Sequence, residues 1–81
     1  MDIVTVLGIL GAFLILIGFT MNQLGIWKTT SFSYDCINLA GGLVLVVYAF
    51  LISSLPFIIL NTVWTLVALR DVILFFLRKK S

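Results

Sequence analysis

The sequence predicts an all-α integral membrane protein built from a bundle of three transmembrane helices. Of its 81 residues, 63% are hydrophobic and only 10% are charged, whereas charged residues make up about 25% of soluble domains. A soluble domain of this size could not bury so much apolar surface. The apolar residues fall into three consecutive runs with almost no polar sequence between them. We therefore predict a single membrane domain over residues 1–81.

The three apolar runs set the predicted helix boundaries, which are residues 3–26, 34–52 and 55–77. At a rise of 1.5 Å per residue, roughly 20 residues cross the ~30 Å hydrocarbon core, so each run is long enough. Pro56 suits the first turn of the third helix, where its missing N–H costs nothing. The sequence leaves open whether this helix is continuous or breaks near Arg70 into a span and an interfacial tail.

The positive charges predict the orientation. Lys28 lies between the first two runs, and Arg78, Lys79 and Lys80 follow the third. Three spans place that loop and the C-terminus on one side, which the positive-inside rule makes cytoplasmic, with the N-terminus outside. No Lys or Arg precedes the first run, so we expect it to be retained rather than cleaved as a signal peptide. The expected location is the cell membrane, which is the inner membrane in a Gram-negative bacterium.

The composition excludes several classes of function. The chain has no histidine and one cysteine, Cys36, which rules out an intrachain disulfide, a Cys/His metal cluster and a histidine-dependent triad. Three acidic residues leave few candidates for acid–base catalysis. We therefore expect no enzymatic activity, no metal and no cofactor. The basic residues form no stripe with interleaved aromatics, so nucleic acid is not an expected partner.

Glycines recur along the first run. Gly11, Gly18 and Gly25 are spaced by seven residues, which is nearly two turns, so we predict that they share one stripe of the helix. Small residues let helix backbones approach closely in lipid. The stripe is either a packing face or a smooth face beside a solute pathway, and the sequence leaves both open.

Polar residues inside the third run are candidates for solute binding. Asn61 lies about 8 Å from Pro56 along the helix, where its amide needs hydrogen-bonding partners. Trp64 and Thr65 follow at i+3 and i+4 and are expected on the same face. This face could bind a small polar solute, or Asn61 could hold helices together by hydrogen bonds.

Other polar residues lie toward the predicted cytoplasmic side. Asn22, Asp35 and Asn38 form either a polar vestibule or ordinary interfacial positions. Arg70 and Asp71 are neighbours that project about 100° apart on a helix, so we expect them not to face each other. A carboxylate such as Asp71 fits either a proton or ion relay or an interfacial position.

The order of these motifs resembles the SemiSWEET half-transporters of the PQ-loop superfamily, over about residues 8–79. Four segments carry the resemblance: Asn22-Gln23 at the Pro-Gln position, the Lys28–Ser33 loop, the Val47–Leu51 end of helix two, and Leu55-Pro56 followed by Asn61. The chain is similar to a divergent, permease-like branch. The resemblance implies a half-transporter that dimerises to carry a small polar solute, with a sugar as one candidate.

The resemblance also assigns residues. In SemiSWEETs the asparagine equivalent to Asn61 lines the sugar pocket. With the polar face of the third helix and the vestibule residue Asn38, the resemblance gives four expected substrate-binding residues: Asn61, Trp64, Thr65 and Asn38.

Two departures from the family pattern shape these expectations. Asn22 replaces the motif proline that is thought to kink helix one, so Gly18 and Gly25, which flank Asn22-Gln23, become the hinge candidates. The stretch Val44–Val46 lacks the helix-two tryptophan of the family. Either Trp64 of helix three substitutes for it, or the ligand is not a sugar.

Three helices cannot surround a solute path, whereas two copies supply six. Both copies follow the same charge bias and insert the same way up. The expected assembly in the lipid bilayer is a parallel homodimer, or a higher oligomer, with its axis along the membrane normal. The alternative is a non-transporting small membrane protein that acts as a structural or regulatory subunit, in which the glycines and Asn61 pack without a solvent-sized void.

Overall fold

Three helices account for nearly the whole chain. The computed structural model describes residues 2–80, with side chains for residues 2–78. Helix α1 spans Ile3–Gln23, α2 spans Phe32–Leu51 and α3 spans Leu55–Lys80. The segments Ile3–Gln23, Phe32–Leu51 and Leu55–Arg78 are each long and apolar enough to cross a membrane. The prediction of an all-α protein with three such helices is confirmed.

Helix α2 lies between the other two helices. It packs against both α1 and α3, and between those two helices no pair of described residues has Cα atoms within 8 Å. Short connections make successive helices antiparallel. The bundle therefore has a Lys28 end, with the first loop and the end of α3, and a Ser53 end, with the N-terminus and the second turn. Its length of 43 Å matches the ~40–45 Å of a bilayer with its headgroups.

Helix α1 ends at Gln23, three residues before the predicted boundary. Gly25 follows with a φ of +78°, a value that glycine adopts without a steric penalty. The Ile26 N–H donates to the Met21 carbonyl at 3.0 Å, and the Gly25 N–H donates to the Asn22 carbonyl at 3.1 Å. These two bonds form a Schellman motif, which satisfies the last carbonyls of the helix.

The predicted glycine stripe is therefore shorter than expected. Gly25 lies in the turn after α1 and not on the helix, which corrects its assignment to the same stripe as Gly11 and Gly18. Those two glycines are buried in α1 and face Leu45 and Ile37 of α2. Close packing of two helices accounts for this part of the stripe.

Helix α2 begins at Phe32, two residues before the predicted start, and Ser31 is its N-cap. The Phe32 ring packs against the rings of Phe75 and Phe76, with centroid distances of 4.3 and 5.3 Å. This aromatic cluster holds the start of α2 against the last third of α3.

Helix α3 is continuous through Arg70 to Lys80, so the alternative of a break near Arg70 is excluded. Pro56 lies in its first turn, as predicted. Large apolar side chains remain exposed along all three helices, among them Phe13, Leu43 and Leu60. Such a surface is unfavourable in water and is favoured in lipid.

Candidate functional site

A cavity between α2 and α3 contains most of the buried polar groups of the bundle. We call it the α2–α3 cavity. Its volume is about 190 Å³, and its polar and aromatic lining residues are Thr29, Tyr34, Asp35, Asn38, Trp64 and Asp71. Thr29 belongs to the first loop, so the cavity lies toward the Lys28 end of the bundle.

Helix geometry explains why α2 presents its polar residues to this cavity. Tyr34 and Asn38 are four residues apart, and Asp35 and Asn38 are three apart, so the three lie on one face. Asn38 is six residues beyond Phe32, which places it about 9 Å along the helix. The face is therefore polar well inside the membrane-spanning segment.

Asp35 and Asn38 are deeply buried but have no partner. Each is 6% exposed, and neither side chain makes a hydrogen bond or ion pair with any residue that the structure describes. Among the described residues, every side-chain nitrogen or oxygen that is completely buried has a hydrogen-bond partner. The polar atoms of both residues therefore stay accessible, and the α2–α3 cavity is the space that reaches them.

Asp71 brings a second carboxylate to the cavity from α3. The Arg70 Nε lies 3.6 Å from the Asp71 Oδ1, which corrects the expectation that these neighbours do not face each other. The arginine side chain is long enough to reach across the angle between them. Arg70 is 72% exposed, and ion pairs exposed to solvent contribute little to stability.

A second cavity adjoins the first at the Lys28 end. Its volume is about 180 Å³, and it shares Thr29, Asp35 and Asp71 with the α2–α3 cavity. Arg70 and Arg78 also line it. The two carboxylates thus line both cavities, whereas Arg70 and Arg78 line only the second one.

Asn61 lies in a different place, at the Ser53 end. It lines a groove of about 400 Å³ between α1 and α3, which we call the α1–α3 groove. Tyr48 and Leu45 of α2 form its floor, and Thr5 lies on its α1 side. The Tyr48 ring packs against Gly8, where any larger side chain would displace it. The groove is open because α1 and α3 do not meet.

Thr65 is buried by packing and lines neither cavity nor groove. Its hydroxyl donates to the Asn61 carbonyl at 2.7 Å within the same helix. Its side chain fills the space above Gly42 of α2, where an added Cβ would clash with the Thr65 Oγ1.

The structure thus separates the four residues predicted to bind substrate. Asn38 and Trp64 meet in the α2–α3 cavity, whereas Asn61 lines the α1–α3 groove and Thr65 packs against α2. Tyr34 was missed as a lining residue. Its spacing of four from Asn38 was the available signal, because it places both on one face.

The residues of the helix-one motif lie outside the α2–α3 cavity. The Asn22 Nδ2 donates to the Trp27 carbonyl at 3.0 Å and so closes the turn after α1. Gln23 is exposed at the last position of that helix, and Gly18 packs against Ile37. Among the described side chains, no group of three or more Cys, Asp or Glu could hold a metal ion.

Comparison with known proteins gives a family but no function. Residues 4–79 match the model of one protein family, and the chain belongs to that family, which is uncharacterised. No curated protein and no solved structure shows significant similarity to the chain.

Proposed function

We propose that this family member is a half-transporter, two copies of which carry a small polar solute across the cell membrane. The observation that supports the proposal most is the α2–α3 cavity, into which buried Asp35 and Asn38 open without a protein partner. Unpaired polar groups in hydrocarbon cost several kcal/mol. Water or a polar solute in the cavity would supply the missing hydrogen bonds, and polar residues within spans often mark solute paths.

The positions of the two openings also support a carrier. The α2–α3 cavity lies toward the Lys28 end, and the α1–α3 groove lies toward the Ser53 end. Both run beside α2. Helix α3 also borders both, so a tilt of α3 against α2 could close one opening and widen the other, which is the change that alternating access requires.

A parallel homodimer is the assembly that we propose. A single copy leaves the α1–α3 groove open along its side, because the described parts of α1 and α3 do not pack against each other. A second copy, inserted the same way up, would cover that side and bring the two Asn61 side chains toward a shared path. We propose that the Lys28 end is cytoplasmic, since it contains the cluster of Lys and Arg residues. The resemblance to SemiSWEETs supports this arrangement.

Uptake by proteoliposomes tests the proposal. The purified protein is reconstituted, and entry of radiolabelled glucose, glycerol and choline is measured against protein-free liposomes. We expect uptake of at least one solute. Asn38→Ala and Asn61→Ala should reduce that uptake at least about tenfold, since each removes a hydrogen-bonding group from the path. Thr20→Ala, on the exposed side of α1, is the matched control and should keep wild-type uptake.

The competing function is a structural or regulatory subunit that transports nothing. Wild-type uptake by the Asn38→Ala variant would show that Asn38 does not contribute to the solute path. No uptake of any solute, together with capture of a stoichiometric membrane partner in mild detergent, would favour the subunit.

A further inference from the structure

We infer that the α2–α3 cavity selects a small organic cation, such as a primary or quaternary ammonium compound. The inference rests on the proposed function and adds the substrate class to it. Three properties of the cavity lead to it: the sign of its charge, the lack of a counterion for its most buried carboxylate, and its aromatic walls.

The charged side chains that line the cavity, within the described part of the chain, are the carboxylates of Asp35 and Asp71. Among the described side chains, no lysine or arginine lines it. Arg70 and Arg78 border the adjoining cavity, and Arg70 is mostly in solvent, where its field is screened. The field inside the cavity therefore favours a positive ligand and disfavours an anion.

Asp35 needs a counterion that the described protein does not provide. It lies within the span of α2, is 94% buried and has no hydrogen bond or ion pair. Charged groups inside membrane proteins are normally paired or face a path for ions. An ammonium group in the cavity would pair with Asp35, whereas a neutral sugar would leave the charge uncompensated.

The cavity walls add aromatic contacts suited to a cation. The rings of Trp64 and Tyr34 line the same space as the carboxylates, and ammonium groups bind the faces of such rings. The Asn38 amide oxygen offers an acceptor for the N–H of a primary ammonium group or for the hydroxyl of choline. The volume of about 190 Å³ lies below the ~300–1,000 Å³ of pockets for drug-sized ligands, so the cation must be small.

A fluorescence titration with choline tests the inference. In a Trp27→Phe background, Trp64 is the single remaining tryptophan, so its emission reports on the cavity. We expect choline chloride to shift this emission saturably. Potassium chloride at equal concentration and 3,3-dimethylbutan-1-ol, which has nearly the same shape as choline without the charge, should have little effect.

The three acidic residues provide matched variants. Asp35→Asn should raise the half-saturating choline concentration at least about tenfold, because a charge-assisted contact is lost. Asp71→Asn should raise it less, because Asp71 already pairs with Arg70. Asp2→Asn, at the opposite end of the bundle, should leave it unchanged. As a readout independent of fluorescence, Trp64→Leu should abolish the rise in melting temperature with choline, and Trp27→Leu should keep it.

Equal binding of choline and its neutral analogue would overturn the inference, and so would unchanged choline binding in Asp35→Asn. Its failure is distinguishable from failure of the proposed function. Uptake of glucose or glycerol that depends on Asn38, with no response to choline, would contradict a cationic substrate but support the proposed carrier function. Choline binding that depends on Asp35, without uptake of any solute, would contradict the proposed carrier function but support a cation-binding site.

Discussion

At the scale of single residues, polar side chains in this bundle differ in whether their hydrogen-bonding capacity is already used. Asn22 bonds the Trp27 carbonyl and Thr65 bonds the Asn61 carbonyl. Both therefore stabilise their own segment. Asp35 and Asn38 are as buried as Thr65 but have no such bond. A bound ligand would therefore change the free energy most at these two positions.

The turn between α2 and α3 contains a residue in an unfavourable conformation. Ser53 has a φ of +54°, which costs an L-residue roughly 1–2 kcal/mol. Ser53→Gly should therefore raise the free energy of unfolding by about 0.5–1 kcal/mol, because the greater entropy of glycine in the unfolded chain offsets part of the gain. Thermal unfolding in detergent measures the change. Ser54→Gly is the control and should give no gain, so an equal gain in both variants would contradict this explanation.

The first turn of α1 should respond to acid. The Thr5 N–H donates to the Asp2 carboxylate at 2.8 Å, and this bond lowers the pKa of Asp2. Its contribution to stability is present above the unfolded-state pKa of about 3.9 and is lost as the pH falls through the lower folded-state pKa. The Thr5 amide resonance should titrate with Asp2 below pH 3.9 and should stop titrating in Asp2→Asn. A midpoint above that value would contradict the bond.

At the scale of helices, α2 is the element against which both other helices pack. Its faces pack against α1 through glycines and against α3 through Gly42 and the Phe32 cluster. A transporter needs helices that stay in contact while they shift, and small residues at both faces of α2 permit this close contact.

The Gly42–Thr65 contact gives a test of this packing. Gly42→Ala places a methyl group against the Thr65 Oγ1, and such overpacking costs about 1–3 kcal/mol. Thr65→Ala removes the clashing atom, so the double variant should recover most of the stability lost in Gly42→Ala. A double-mutant cycle of melting temperatures in detergent measures the coupling. Simple additivity would show that the two residues are not in contact.

The helices were predictable from the sequence, but the site was only partly so. Lengths of apolar runs set where helices form. The largest differences in the boundaries are at the end of α1 and the start of α2, where backbone hydrogen bonds of the turns set the limits, and at the end of α3, which runs to Lys80 instead of residue 77. The face of Asn61, Trp64 and Thr65 was predicted from spacing alone. Spacing does not give the rotation of α3 against α2, which separates Trp64 from Asn61, nor the central position of α2.

At the scale of the whole molecule, one copy leaves the α1–α3 groove uncovered. Three helices with α2 in the middle leave an open groove and long apolar faces. In the proposed parallel homodimer the groove would be enclosed and the apolar surface would face lipid. We therefore predict a dimer by native mass spectrometry from detergent micelles, and a monomer at all protein concentrations would contradict the proposed assembly.

The most direct test of the carrier is the accessibility of position 38 from each side of the membrane. In a Cys36→Ser background the chain has no other cysteine, so Asn38→Cys can be treated with a membrane-impermeant, positively charged thiol reagent added inside or outside oriented proteoliposomes. Ala40→Cys, on an exposed face of α2, is the control and should stay unmodified in lipid. We predict modification of position 38 from both sides, because the cavity must open to each in turn. Modification from one side only, or from neither, would contradict transport through the α2–α3 cavity.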